Sequence, residues 1–96
     1  MPNPHYRKGY RLEKKTARIL EAAGMYTVES RGSHGLFDVV GISRNGLVLV
    51  QVKSAGHPAG PAERQELAEF ANCPPGTVKL IHTWRDRARE PEVREV

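Results

Sequence analysis

One cysteine in 96 residues excludes an internal disulfide, and with it the secreted scaffolds that staple small folds covalently. His34, His57 and His82 have no ligand spacing with one another or with Cys73, which excludes a zinc-finger arrangement. No apolar run approaches the roughly 18 residues of a membrane span, and the opening MPNPHYRKGY holds no signal-peptide core. Aromatic residues make up only 6% of the chain, without the ring-rich strand on which RNA-binding sheets stack bases. The length is too small for two hydrophobic cores. The expectation is one soluble domain spanning residues 1–96, working in the cytoplasm, its gene cellular or carried by a phage. A core this small also favours a second subunit as a source of stability.

What the chain does have is positive charge in one place. Lys and Arg number 15 against 11 Asp and Glu, a net charge of +4. The excess is concentrated near the start, where Arg7, Lys8, Arg11, Lys14, Lys15, Arg18 and Arg31 face only Glu13, Glu21 and Glu29. Local positive potential, rather than net charge, is what phosphate contacts require, so nucleic acid is the expected partner. Arg7, Arg11, Lys14 and Arg18 step by four, three and four, so they share one face if the first helix begins early.

The pattern of elements is α-β-β-β-α-β with a further short edge strand. Residues 10–23 carry good helix formers, with Gly24 placed to cap the end, and Leu12, Thr16, Ile19, Leu20 and Ala23 form a core-facing stripe. Strands are predicted over 26–30, 36–42, 47–53 and 77–84, with 92–96 as the edge. Asn45-Gly46 between two β-branched runs signals a hairpin. A second helix is predicted over 62–71, stopped by Cys73-Pro74-Pro75-Gly76. This order means an α/β or α+β sheet flanked by two helices.

The informative residues are polar ones inside apolar runs. Asp38 interrupts one strand, while Gln51 and Lys53 interrupt and close the next. Alternation puts Leu47, Leu49, Gln51 and Lys53 on one face and Val48, Val50 and Val52 on the other. A two-residue Asn45-Gly46 turn pairs positions summing to 91 and sets Asp38 opposite Lys53; a four-residue turn makes the sum 89 and sets it opposite Gln51. Either register gathers the three polar residues, whereas a three-residue loop separates them. Each has a bland reading, as a strand-end ion pair or an exposed edge lysine. Together, half-buried on a valine-rich sheet, they carry a desolvation cost that calls for a purpose. Glu13 lies at the margin of the helical stripe, at i, i+4, i+7 with Ala17 and Leu20.

Tyr6-Arg7-Lys8-Gly9, Glu13, the Ser30-Arg31-Gly32-Ser33 loop, Asp38 and Gln51-Val52-Lys53-Ser54 resemble the archaeal-type Holliday junction resolvases. These belong to the restriction-endonuclease-like PD-(D/E)xK superfamily. The resemblance implies that α/β fold, with a central mixed sheet flanked by two helices, a homodimer, and cleavage of branched double-stranded DNA with Mg²⁺, Mn²⁺ substituting. It implies Asp38 as central metal ligand, position 51 as the second, the Val52 carbonyl as a main-chain ligand and Glu13 as support from the helix. Lys53 would act on the attacking water or the phosphate, Ser33 would touch the scissile region, and Arg7 and Arg31 would grip phosphates. With Lys8, Arg11, Lys14 and Arg18, these arginines make up the expected DNA-binding set. Hard oxygen ligands around a divalent ion suit phosphodiester hydrolysis, which has to neutralise charge on the phosphate.

Position 51 departs from the family pattern, with Gln in place of Glu. The amide oxygen still ligates, but one negative charge is gone. A tolerant natural nuclease, a degenerate binder of branched DNA, and a deliberate near-isosteric replacement all accommodate this. The functional alternatives are therefore a junction-cutting endonuclease, a non-catalytic DNA-binding module on the same fold, and a nuclease of the superfamily acting on another DNA structure.

Overall fold

The computed structural model describes residues 4–30 and 36–96, with side chains from Gly9 onward. Helix α1 spans Pro4–Ala22, β1 Tyr26–Glu29, β2 Val39–Ser43, β3 Gly46–Ser54, α2 Pro61–Glu69, β4 Val78–Trp84 and β5 Glu92–Glu95. The sheet order is β1-β2-β3-β4-β5. All neighbours are antiparallel except β3 and β4, which run parallel and are joined through α2. The predicted mixed sheet with two helices is thus the observed architecture.

The first helix begins six residues earlier than its composition suggests, at Pro4. A proline in the first turn gives up only an N–H that has no intrahelical partner, and its ring fixes a helical φ. The early start brings the four-three-four basic spacing onto one face. The helix ends where Gly24 was expected to cap it, at φ 91°. Gly24 N–H donates to Glu21 O and Met25 N–H to Leu20 O, which satisfies the last carbonyls. Leu12, Thr16, Ala17 and Leu20 are buried, but Ile19 and Ala23 are exposed. The core stripe therefore runs through Ala17, one residue round the helix from the predicted position. Close approach of α1 requires Gly41, where an added Cβ would lie 2.7 Å from Met25 Sδ and 3.1 Å from Leu20 Cδ1.

The hairpin takes the register summing to 89: Ser43 pairs with Gly46 and Val39 with Val50. The two turn residues are Arg44 and Asn45, so Gly46, at φ 130°, opens β3. Strand alternation follows the sequence reading. Val48, Val50 and Val52 pack with Ala17, Leu20 and Val39 under α1, while Leu49 joins Phe37, Leu67 and Ile81 under α2. Helix α2 stops at Glu69, before the prolines expected to end it. Phe70 turns extended, its ring meets Phe37 edge-on at 5.5 Å, and Lys79 Nζ takes the carbonyls of Ala68 and Phe70.

A buried polar triad ties α1 to β4. Trp84 Nε1–H donates to Thr16 Oγ1 at 3.0 Å, and Thr16 Oγ1 lies 3.1 Å from His82 Nδ1. Thr16 Oγ1 accepts the indole proton, and the direction of its bond to Nδ1 follows from the tautomer of His82. Burial lowers the His82 pKa. Below its ordinary value of 6.5, the unfolded chain binds a proton that the folded one resists. This contribution to stability is therefore lost as pH falls from 6.5 towards the lowered value. Thr16→Val should cost about 2–3 kcal/mol in denaturant unfolding at pH 7, because it leaves two buried polar atoms without partners.

Candidate active site

The ladder between β2 and β3 ends at Val39 and Val50, and the candidate site occupies the gap beyond. Asp38 N–H donates to Val50 O at 2.9 Å, and Ser30 N–H donates to Asp38 O at 2.8 Å. The Asp38 side chain, 7% exposed, takes the Val52 N–H on Oδ2 at 2.9 Å. The carboxylate thereby replaces the main-chain acceptor that a longer β2 would have offered. Glu13 reaches Asp38 from α1, and side-chain hydrogen bonding between the two carboxyls raises the Glu13 pKa and lowers that of Asp38. Lys53 lies on the opposite side of β3 from the α1 core and lowers the Asp38 pKa by its charge.

Both carboxyls are pushed above their ordinary range. Burial, then the negative charges of Asp38 and Glu29, push Glu13 up to about 7. Burial also raises Asp38, against the pull of the Val52 amide, Lys53 and Glu13. A half-buried acid beside a buried one, both resisting ionisation, is a site where a divalent cation can replace a proton. Among the described residues no group of three or more His, Cys, Asp or Glu side chains is placed to hold a metal ion. Asp38 and Glu13 are thus the pair of hard oxygen donors available, and Mg²⁺ ordinarily takes one or two carboxylates plus water and phosphate oxygens. On that chemistry the residues fit a divalent ion.

Gln51, one step past the ladder on the strand facing Asp38, is half-buried and makes no side-chain hydrogen bond among the described residues. Two acids that the sequence reading passed over belong to the surroundings. Glu63, in the first turn of α2, holds Lys53 Nζ at 2.9 Å and so fixes the ammonium beside Asp38. Glu29, the last residue of β1, holds Lys14 Nζ at 3.1 Å through Oε2, while its Oε1 is buried without a partner among the described residues. The signal for both was weak: a single acid in a strand's last position or a helix's first turn is common. Lys14, one of the expected phosphate contacts, is therefore ion-paired and also sits over the Tyr10 ring at 5.4 Å. Arg11 and Arg18 are exposed. The side chains of Arg7 and Lys8, and all of Arg31 and Ser33, lie outside the described residues.

A divalent ion held by these carboxyls would compete with the proton on Glu13. Thermal stabilisation by Mg²⁺ should be small at pH 6 and grow up to about pH 8, since binding displaces the proton from a group titrating near 7. Without metal the sign reverses. Between the ordinary 4.5 and about 7 the folded state holds a proton that the unfolded chain releases, so this site's contribution to stability falls as pH rises through that window. A metal-induced melting shift that does not change with pH would contradict the assignment.

This fold is also that of a solved nuclease. The chain superposes on Hjc, a Holliday junction resolvase from the archaeal hyperthermophile Archaeoglobus fulgidus, with a TM-score of 0.66 and 22% identity over 92% of this chain and 70% of that one. The fold is restriction-endonuclease-like. No family model and no curated protein sequence matches the chain. At this identity the likeness concerns architecture, and the chemistry must be argued from the residues at the sheet's end.

Proposed function

We propose that this chain is a metal-dependent endonuclease acting on branched double-stranded DNA, with four-way junctions as its preferred substrate. The observation that supports this most directly is the buried Glu13–Asp38 pair with Lys53 beside it, on a fold shared with a junction resolvase. Asp38 and Glu13 would hold the ion, with Gln51 Oε1 and the Val52 carbonyl as neutral oxygen ligands. Mg²⁺ bound there would lower the pKa of a water and neutralise charge on the phosphate. Lys53, steadied by Glu63, places a compact positive charge where negative charge grows in the transition state. Arg7, Lys8, Arg11, Lys14, Arg18 and Arg31 would hold phosphates, and Ser33 would lie against the scissile group.

The active form is proposed to be a homodimer, which puts two sites on strands related by two-fold symmetry. Tyr26 and Val28 on β1 pair across to Ile42 and Val40. Tyr26, Val28 and Ile42 are 72%, 47% and 42% exposed, an apolar strip on the α2 side of the sheet that a second copy would cover. One observation favours a second reading, a junction binder that does not cut: the neutral Gln51 leaves the ion only two carboxylates. A cleavage assay with Mg²⁺ or Mn²⁺ on a four-way junction, a flap and a plain duplex separates the readings. Junction cutting is expected, by a species that sediments as a dimer. Tight junction binding without cutting in either metal would leave the binder.

A further inference from the structure

The other flank of α1 carries a basic pocket that the candidate active site does not use. Arg11, Lys15, Trp84, Arg85 and Arg87 line a cavity of about 370 Å³, together with Leu12 and Asp86. Its base is rigid. Trp84 is 2% exposed and anchored through its indole N–H to Thr16. Lys15 Nζ lies 4.7 Å over the Trp84 ring and donates to Ala88 O at 3.0 Å, so a long cation is held in place at the pocket wall. Arg87 is the one non-glycine among the described residues with a left-handed backbone, at φ 62°. Such a conformation costs about 1 kcal/mol or more and persists only where the surroundings impose it. Arg11 and Arg87 are exposed and have no carboxylate partner among the described residues, whereas Arg85 pairs with Glu92 at 2.7 Å.

The pocket's position matters as much as its charge. Trp84 pairs with Ser54 in the β3–β4 register, one residue beyond Lys53. Leu12, in the pocket, precedes Glu13, in the candidate site, so the two lie at the same end of the sheet on either flank of one helix. Strands β2 and β4 are two places apart in the sheet, a lateral offset of about 10 Å. An offset of that size lies within the span of neighbouring phosphates of one bound strand.

We infer that this pocket is a backbone-phosphate subsite, in which Arg87, Arg11 and Lys15 hold the DNA backbone alongside the candidate site at Asp38. The inference rests on the DNA-directed reading above but not on cleavage. It makes the β4–β5 loop a part of the nucleic-acid surface that the sequence reading did not include.

Arg87→Gly is the appropriate probe, because glycine accepts φ 62° without strain and the variant loses charge alone. Arg44→Gly, at the hairpin tip on the opposite end of the sheet, removes the same charge elsewhere. Fluorescence anisotropy with a labelled four-way junction, and with the same junction in a second base sequence, would be followed from 50 to 200 mM salt without divalent metal. Arg87→Gly should weaken binding about five-fold for both sequences at 100 mM salt and lower the log–log salt slope by about 0.9, while Arg44→Gly should change neither. Unaltered affinity in Arg87→Gly would overturn the subsite, as would equal losses in the two variants. Absence of any binding to DNA would overturn it together with the reading it rests on. Normal binding losses in a protein that never cuts would leave it standing while the nuclease reading falls.

Discussion

Replacing Asp38 by Asn is expected to lower the single-turnover cleavage of a four-way junction by roughly a thousand-fold or more, while junction binding holds or tightens. The substitution keeps an oxygen for the Val52 N–H, which the carboxylate accepts at 2.9 Å, so the end of β3 should stay in place. What it removes is a negative charge that would face the proposed ion, a loss of several kcal/mol in stabilising the transition state. Binding should not suffer, since a buried negative charge beside a phosphate backbone opposes association. Stability provides an independent check. Burial raises the pKa of Asp38, and the Asp38 charge helps push Glu13 up to about 7, so above pH 7 the metal-free fold carries two acids that resist ionisation together. Asp38→Asn relieves this, and its melting temperature at pH 8 should exceed that of the parent protein in chelator. Such a trade of activity against stability marks a strained functional site. An unchanged cleavage rate would remove Asp38 from the chemistry.

The strand face shared by Gln51 and Lys53 was legible because alternation is a rigid consequence of backbone geometry. Asp38 stood out only in company, because an acid, an amide and a lysine gathered on a valine-rich sheet carry a desolvation cost that one strand-end ion pair does not explain. Both surviving registers brought Asp38 to the same strand end, so the exact turn hardly mattered, and the structure chose the sum of 89. What could not be read was how the site is wired. Whether Lys53 pairs with Asp38 or with a helix depends on where α2 lands, and Glu63 approaches through a tertiary contact that no local pattern encodes. The same holds for Glu29, whose capture of Lys14 subtracts one cation from the basic face. The Ile19 and Ala23 misassignments have a simpler cause. The apolar stripe is wider than the surface the sheet presents, and only the contacts to β2 and β3 decide which edge is covered.

Gln51→Glu is expected to raise cleavage at limiting Mg²⁺ by about ten-fold, with a smaller gain in Mn²⁺. The amide at position 51 is half-buried and has no hydrogen-bond partner among the described residues, so an isosteric carboxylate enters without breaking any contact. A third negative charge at the sheet's end strengthens the pull on a divalent ion. Mn²⁺ binds nitrogen and oxygen sites more tightly than Mg²⁺ and accepts poorer ligands, so it depends less on the added charge and should rescue the parent protein better. The same substitution should have a cost without metal. Glu13 already titrates near 7 under the influence of Asp38 and Glu29, and another carboxylate would push it higher, so the chelated variant should melt below the parent at pH 8. Added Mg²⁺ should reverse that order, because ligand binding to the folded state stabilises in proportion to the affinity gained. The crossing of the two melting curves is a readout independent of cleavage. If Gln51→Glu changes neither the cleavage rate nor the metal-dependent melting shift, position 51 does not face the ion, and the site reduces to Glu13, Asp38 and Lys53.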